Sequence, residues 1–250
     1  MIPLNFKSTE KVGRKVTNDL YCFFENPMLD CNQYIVSDKN SGDLTLFDAG
    51  NGLSLEGLFQ GMKKLNLDYR KISKVFLTHE HVDHVLGLYP LMEKFLENPP
   101  DILAYIETAN ILNEGKESKI LPTNLGITAS MLGVNIKPLD VKPLSNGENI
   151  IIGTDFRFEV LFTPGHSQGS ICFYEPEKRI LIPGDLVFIG GSFGRYDFPG
   201  GSLKKLIESI KFVSDLDVKY LLPGHMGISD EGTRNIQESF RMVQSFGSFF

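Results

Sequence analysis

Thr78-His79-Glu80-His81-Val82-Asp83-His84 decides the reading of this chain, and it follows directly on the apolar run Ile72-Ser73-Lys74-Val75-Phe76-Leu77. Three histidines and an aspartate fall within six residues. Imidazole nitrogen and carboxylate oxygen both suit zinc and related first-row metals. At a strand end, a short loop can turn such side chains inward from several directions. His79 and His81, two apart, can aim at one ion. Asp83 and His84, at the start of a following helix, can aim at a second. The H-E-x-x-H zincin arrangement does not fit, because it needs histidine at position 83.

A solvated, charged turn would explain one such histidine, but here it would have to explain five. The other two each sit in a Gly-containing turn after a strand-like run: Thr163-Pro164-Gly165-His166 and Pro223-Gly224-His225. Ile182-Pro183-Gly184-Asp185 makes a strand end of the same kind with a carboxylate. No histidine is left for an ordinary surface role.

H-x-H-x-D-H at 79–84, TPGHS at 163–167, GD at 184–185 and PGH at 223–225 resemble the metallo-β-lactamase superfamily in order and rough spacing. Phe47-Asp48-Ala49-Gly50 is similar to that family's acidic strand end. The resemblance spans about residues 31–226. It implies an α/β fold, an αββα sandwich of two mixed β-sheets flanked by helices, with metals at one edge between the sheets. Mapped by motif, His79, His81 and His166 would hold one ion, Asp83, His84 and His225 the other, and Asp185 would bridge them. The expected cofactors are two divalent metal ions, zinc first, with iron or manganese as alternatives. Asp48 and Thr78 resemble residues that orient ligands, although a plain turn aspartate would also explain Asp48.

Such a centre makes hydroxide available near neutral pH, since a metal lowers the pKa of bound water from about 15.7 to about 7. The expectation is attack by a metal-bridging hydroxide on a carbonyl, with Asp83 as the catalytic residue that orients it. Leu186 to Gly201 includes GRYDFPGG, similar to a segment of hydrolases resembling glyoxalase II. That makes a thioester or related ester the expected substrate. Arg195 is the candidate anchor for an anionic substrate end, because guanidinium grips carboxylates bidentately. It could equally form a pair with Asp197. Tyr196 stands where the family usually has threonine and is grouped with Arg195 as substrate-binding. Only 25 residues follow His225, so no counterpart of the helical domain that binds glutathione in full-length glyoxalase II is expected.

The family leaves other chemistries open. A persulfide dioxygenase shares the fold and uses one iron on two histidines and an aspartate, but usually reads more like P-A-H-D-Y where this chain has Pro223-Gly224-His225-Met226. Acyl-homoserine lactonases carry a tyrosine near Val187-Phe188. A flavodiiron-type reductase would want glutamate at position 81. A non-catalytic metal-binding scaffold would not need every ligand position filled.

The rest of the sequence sets bounds. Apolar residues make up 42% and charged residues 22% of 250 positions, ordinary for a globular protein. The net charge of −6 argues against nucleic acid as a partner. Cys22, Cys31 and Cys172 form no C-x-x-C pair and suggest no disulfide framework, and Cys31 and Cys172 are expected in strands. No apolar run suggests a membrane span or signal peptide, and a cytoplasmic location is expected.

Strands are expected at 33–38, 43–48, 72–77, 102–106, 149–152, 155–162, 170–175, 179–183 and 218–222. Helices are expected at 54–66, 83–96, 107–115, 123–132, 202–213 and 231–246. The chain is read as one domain, residues 1–250. The long gap of 81 residues between His84 and His166 suggests an inserted helical lid at 107–140, whose stretch 121–134 could line an acyl pocket. The Phe-rich end could contact a second copy and make a homodimer, or dock on its own domain. The expected partner is a small-molecule substrate.

Overall fold

The computed structural model describes residues 9–27, 29–121 and 128–247. The first sheet contains β1 (Gly13–Thr17), β2 (Leu20–Phe23), β3 (Gln33–Ser37), β4 (Leu44–Phe47), β5 (Ile72–Phe76), β6 (Asp101–Tyr105) and β7 (Val141–Leu144) in sequential order. β1 to β4 pair antiparallel, and β4 to β7 pair parallel. The second sheet has the order β12 (Tyr220–Leu221), β11 (Ile180–Ile182), β10 (Ile171–Glu175), β9 (Phe156–Phe162), β8 (Asn149–Ile152). Only its β11–β12 pair is parallel. Both sheets are therefore mixed.

Side-chain alternation builds the layers. Phe47, Phe76, Phe158 and Phe173 point between the sheets, with Phe47 at 5.6, 5.3 and 5.1 Å from the other three ring centroids. Each fully buried ring contributes roughly 1.5–3 kcal/mol. Their neighbours Leu46 and Val75 face the other way, onto α1 (Leu55–Lys64) and the helices that follow it. These are α2 (Val82–Val85), α3 (Leu88–Lys94), α4 (Ile106–Glu114) and α5 (Glu117–Ile120). On the second sheet, Cys172 and Leu181 face α6 (Leu203–Ser214) and α7 (Gly232–Gly247). The order helix, sheet, sheet, helix is the expected αββα sandwich. Among the described residues no helix is long and apolar enough to cross a membrane.

Several expected elements differ. The helix expected at 83–96 is broken into α2 and α3 because the 48–50 loop lies across it. Ala49 N–H donates to His84 O and Gly87 N–H to Gly50 O, both at 2.8 Å. A Cβ on Gly87 would stand 1.8 Å from Ala49 O. The strand expected at 218–222 shortens to two residues, and Cys31 lies in the loop before β3 rather than in a strand. β1, β2, β7 and α5 were not anticipated. Residues 106–140 connect parallel neighbours β6 and β7, and α4 packs on both strands. In the stretch expected to be helical at 123–132, Ala129–Leu132 is one 3₁₀ turn, and 122–127 lie outside the described residues.

A buried ion pair fixes the loop between β2 and β3. The Lys11 ammonium, fully buried, reaches Asp30 Oδ2 at 2.9 Å and donates to Cys31 O at 2.8 Å and Gln33 Oε1 at 2.7 Å. Asp30 in turn accepts from Asn26 N–H (2.9 Å) and Ser54 Oγ (2.9 Å).

Candidate active site

All seven predicted ligands follow the ends of strands. His79, His81, Asp83 and His84 follow β5, His166 follows β9, Asp185 follows β11 and His225 follows β12. Asp48, just past β4, ties the first group together. Its carboxylate accepts from Thr78 N–H (2.8 Å), Thr78 Oγ1 (2.9 Å) and His84 Nδ1 (2.9 Å). Its backbone is left-handed, φ 58°, a conformation aspartate tolerates better than most residues. The His225 turn is held from the first sheet: Tyr34 Oη donates to Pro223 O at 2.6 Å and Asn32 N–H to Gly224 O at 2.6 Å. Gly224 is required there, because a Cβ would lie 2.3 Å from Asp185 Oδ1.

The side chains converge as two sets. The ligand atoms of His79, His81 and His166 lie within 4.8 Å of one another, and so do those of Asp83, His84 and His225. Asp185 lies between them: Oδ1 is 3.3 Å from His84 Nε2, and Oδ2 is 3.5 Å from His166 Nε2 and 3.2 Å from His225 Nε2. Outward-facing nitrogens have partners that fix the rings. His166 Nδ1 donates to Arg195 O at 2.7 Å, and His225 Nδ1 contacts Glu25 Oε2 at 2.7 Å. His79 Nδ1 contacts Thr78 Oγ1 at 3.0 Å. Inside, His166 Nε2 stands 2.7 Å from His81 Nδ1 and 3.2 Å from His79 Nε2. His84 Nε2 and Asp185 Oδ1 are buried without a hydrogen-bond partner. Ring nitrogens crowded together, with the buried ligand atoms His84 Nε2 and Asp185 Oδ1 left without hydrogen-bond partners beside them, fit cations in both sets.

The two sets differ in charge. Burial lowers the pKa of His79 well below the ordinary value, lowers that of His81, and pushes His166 down to about 4. Burial alone would do the same to His84 and His225. Cys31, Asp48, Asp185 and Asp83 instead hold His84 well above its ordinary value. Asp185, Asp83 and Glu25 push His225 up to about 12. At pH 7 the first three rings are already unprotonated, whereas His84 and His225 must each release a proton before ligating. Metal affinity at the Asp83/His84/His225 set is therefore expected to rise by up to about 100-fold per pH unit, two protons being displaced. Affinity at the other set should stay nearly flat. Metal titrations at several pH values check this, and equal slopes at both sets would contradict it.

His81 and His166 of the first set, Asp83 and His225 of the second, and Asp185 line a cavity of about 520 Å³, with His79 and His84 buried behind them. Arg195 lines it, but its guanidinium is engaged bidentately by Asp197 (2.8 and 2.7 Å) and stacks on Phe198, 3.8 Å from the ring centroid. Tyr196, grouped with Arg195 in the sequence reading, is partly buried and packs against the apolar layer that includes Leu206 and Ile210 of α6. Met131, in the stretch read as an acyl-pocket wall, is 70% exposed, while Leu121 does line the cavity.

Glu25 was missed. It orients His225 and also accepts from Met226 N–H at 2.8 Å. No local pattern marks it, since it lies 200 positions away from its histidine. Glu25→Ala should weaken metal binding at the Asp83/His84/His225 set by about 10–100-fold, the usual effect of losing a ligand's hydrogen-bond partner. Competition with a chromogenic chelator measures this, and an unchanged affinity would remove Glu25 from the site.

Ligands gathered from both sheets onto the floor of a single cavity define a metal-dependent hydrolase. Residues 27–225 match the family model of the metallo-beta-lactamase superfamily, and the chain belongs to that superfamily, whose fold binds divalent metal ions. It is 32% identical to the hydroxyacylglutathione hydrolase GloC of Haemophilus influenzae, over 73% of this chain and 77% of that protein. It is 30% identical to the probable metallo-hydrolase YqgX of Bacillus subtilis, over 66% of this chain and 74% of that one. Among solved structures it resembles TTHA1623 in a di-iron-bound form, with TM-score 0.65 and 28% identity, covering 84% of this chain and 94% of that one.

Proposed function

We propose that this protein hydrolyses a thioester or related ester of a small molecule, using two divalent ions, zinc in our reading. The observation that carries this is the placement of Asp185 between two complete ligand sets at the floor of a cavity that His81, His166, Asp83 and His225 line. His79, His81 and His166 hold one ion, and Asp83, His84 and His225 the other. Ions held there supply a water of lowered pKa, near 7 instead of about 15.7, and positive charge for a carbonyl oxygen. Asp48 and Thr78 keep the rings of His84 and His79 in place. Asp83 lines the cavity with its side chain 16% exposed, and in our reading it orients the attacking water. We read residues 107–140 as a lid, which the lining contributed by Ser118, Lys119, Ile120 and Leu121 supports. Three free, buried cysteines suit the reducing cytoplasm in which we place the protein.

Metal content by elemental mass spectrometry, on protein purified without chelators, is the test. About two zinc or manganese ions per chain, with turnover in a panel of thioesters and lactones, is the expected result. About one iron per chain would overturn it in favour of persulfide-dependent oxygen consumption on a histidine–histidine–aspartate iron.

A further inference from the structure

We infer that the cavity is an acyl subsite built for a hydrocarbon chain, so that the substrate is an ester or thioester of an apolar acid. The inference rests on the hydrolase reading above and names the substrate class. Beyond the metal-ligand floor the walls are apolar: Leu29, Val82, Ile120, Leu121, Phe188 and Phe198. Among the described residues, the polar side chains in the lining away from that floor are Ser118, Lys119 and Arg195. Both cations already have partners, Lys119 with Glu114 at 3.1 Å and Arg195 with Asp197 at 2.7 Å. The described walls thus present mainly hydrocarbon to the acyl group, while the two cations sit in exposed pairs at the solvent side, where a polar carrier would extend. A volume of about 520 Å³ is far more than an acetyl or lactoyl group fills.

Leu29 adds an independent observation. It is 54% exposed at the rim and held at φ 52°, a backbone conformation unfavourable for a bulky residue. A large apolar side chain kept exposed under strain beside the ligands Asp83 and His225 gains cover when a chain lies against it.

The test uses straight-chain hydroxamates from acetohydroxamate to octanohydroxamate on the metal-loaded protein. The head group chelates and the tail probes the wall. Calorimetry should show Kd falling about fourfold per methylene, the equivalent of ~0.8 kcal/mol for each CH₂ buried. A Kd independent of chain length overturns the acyl subsite. In Leu29→Ser, a substitution at a half-exposed position that leaves the buried core intact, the ratio of acetohydroxamate to octanohydroxamate Kd should shrink about tenfold. An unchanged ratio removes Leu29 from the wall. Ester turnover is measured separately: a steep hydroxamate series without any ester or thioester hydrolysis would sink the hydrolase reading and keep the apolar site.

Discussion

Asp185→Asn lowers kcat/KM by about 10³-fold or more, the equivalent of at least ~4 kcal/mol of transition-state stabilisation. The amide is nearly the same size, so the fold has no reason to change. What changes is charge and donor capacity. One carboxylate oxygen becomes an NH₂ that points hydrogens at a histidine nitrogen, His84 Nε2 or His166 Nε2, in place of an anionic oxygen. Both ligand sets lose their shared negative neighbour together, so metal content per chain should fall along with activity. Burial opposes the charge on Asp185, yet His225 and His84 hold its carboxyl well below the usual range, so it is anionic at any working pH. Retained activity with full metal content would exclude the shared role. Retained folding with lost metal, read by circular dichroism and elemental analysis, is the expected pattern.

Lys11→Met destabilises the protein by about 3–5 kcal/mol, because it strands the Asp30 carboxylate inside the fold without its counter-charge. Asp30 would keep its hydrogen bonds from Asn26 and Ser54 but lose the ammonium, and Cys31 O and Gln33 Oε1 would lose a donor. Equilibrium urea unfolding measures the loss. The double variant Lys11→Met/Asp30→Asn should recover part of it, since the amide removes the stranded charge. A loss below about 1 kcal/mol, the size expected of an exposed pair, would mean that the pair is not isolated from solvent.

The contrast between these residues shows what the sequence makes legible. Asp185 was visible because its ligand partners sit in short, strongly patterned turns after apolar strands, and the turns of His166, Asp185 and His225 share a Pro-Gly step. The layers were visible for a related reason: Leu46 beside Phe47 and Val75 beside Phe76 announce a sheet buried on both faces. Lys11 and Glu25 carry no such signature. Their roles depend on partners that only the tertiary fold brings near, Asp30 in one case and His225 in the other. β1, with most of its residues partly exposed, has no clean alternation, and β7 is a four-residue edge strand containing a proline. The break between α2 and α3 was hidden for a similar reason. Local spacing supports one helix, and the 48–50 loop that interrupts it arrives from elsewhere.

The ligands and the walls of the cavity have different supports. The ligands sit in the turns just after strands or, for Asp83 and His84, in the short helix that follows one, and hydrogen bonds to Asp48, Thr78, Glu25 and Arg195 O hold their rings. Leu29, Phe188 and Phe198 stand outside the named strands and helices, and Ile120 and Leu121 sit at the end of a one-turn helix. The walls can therefore be exchanged without touching the segments that carry the ligands. What the cavity accepts can thus be altered by a few loop side chains, with the reacting centre left in place.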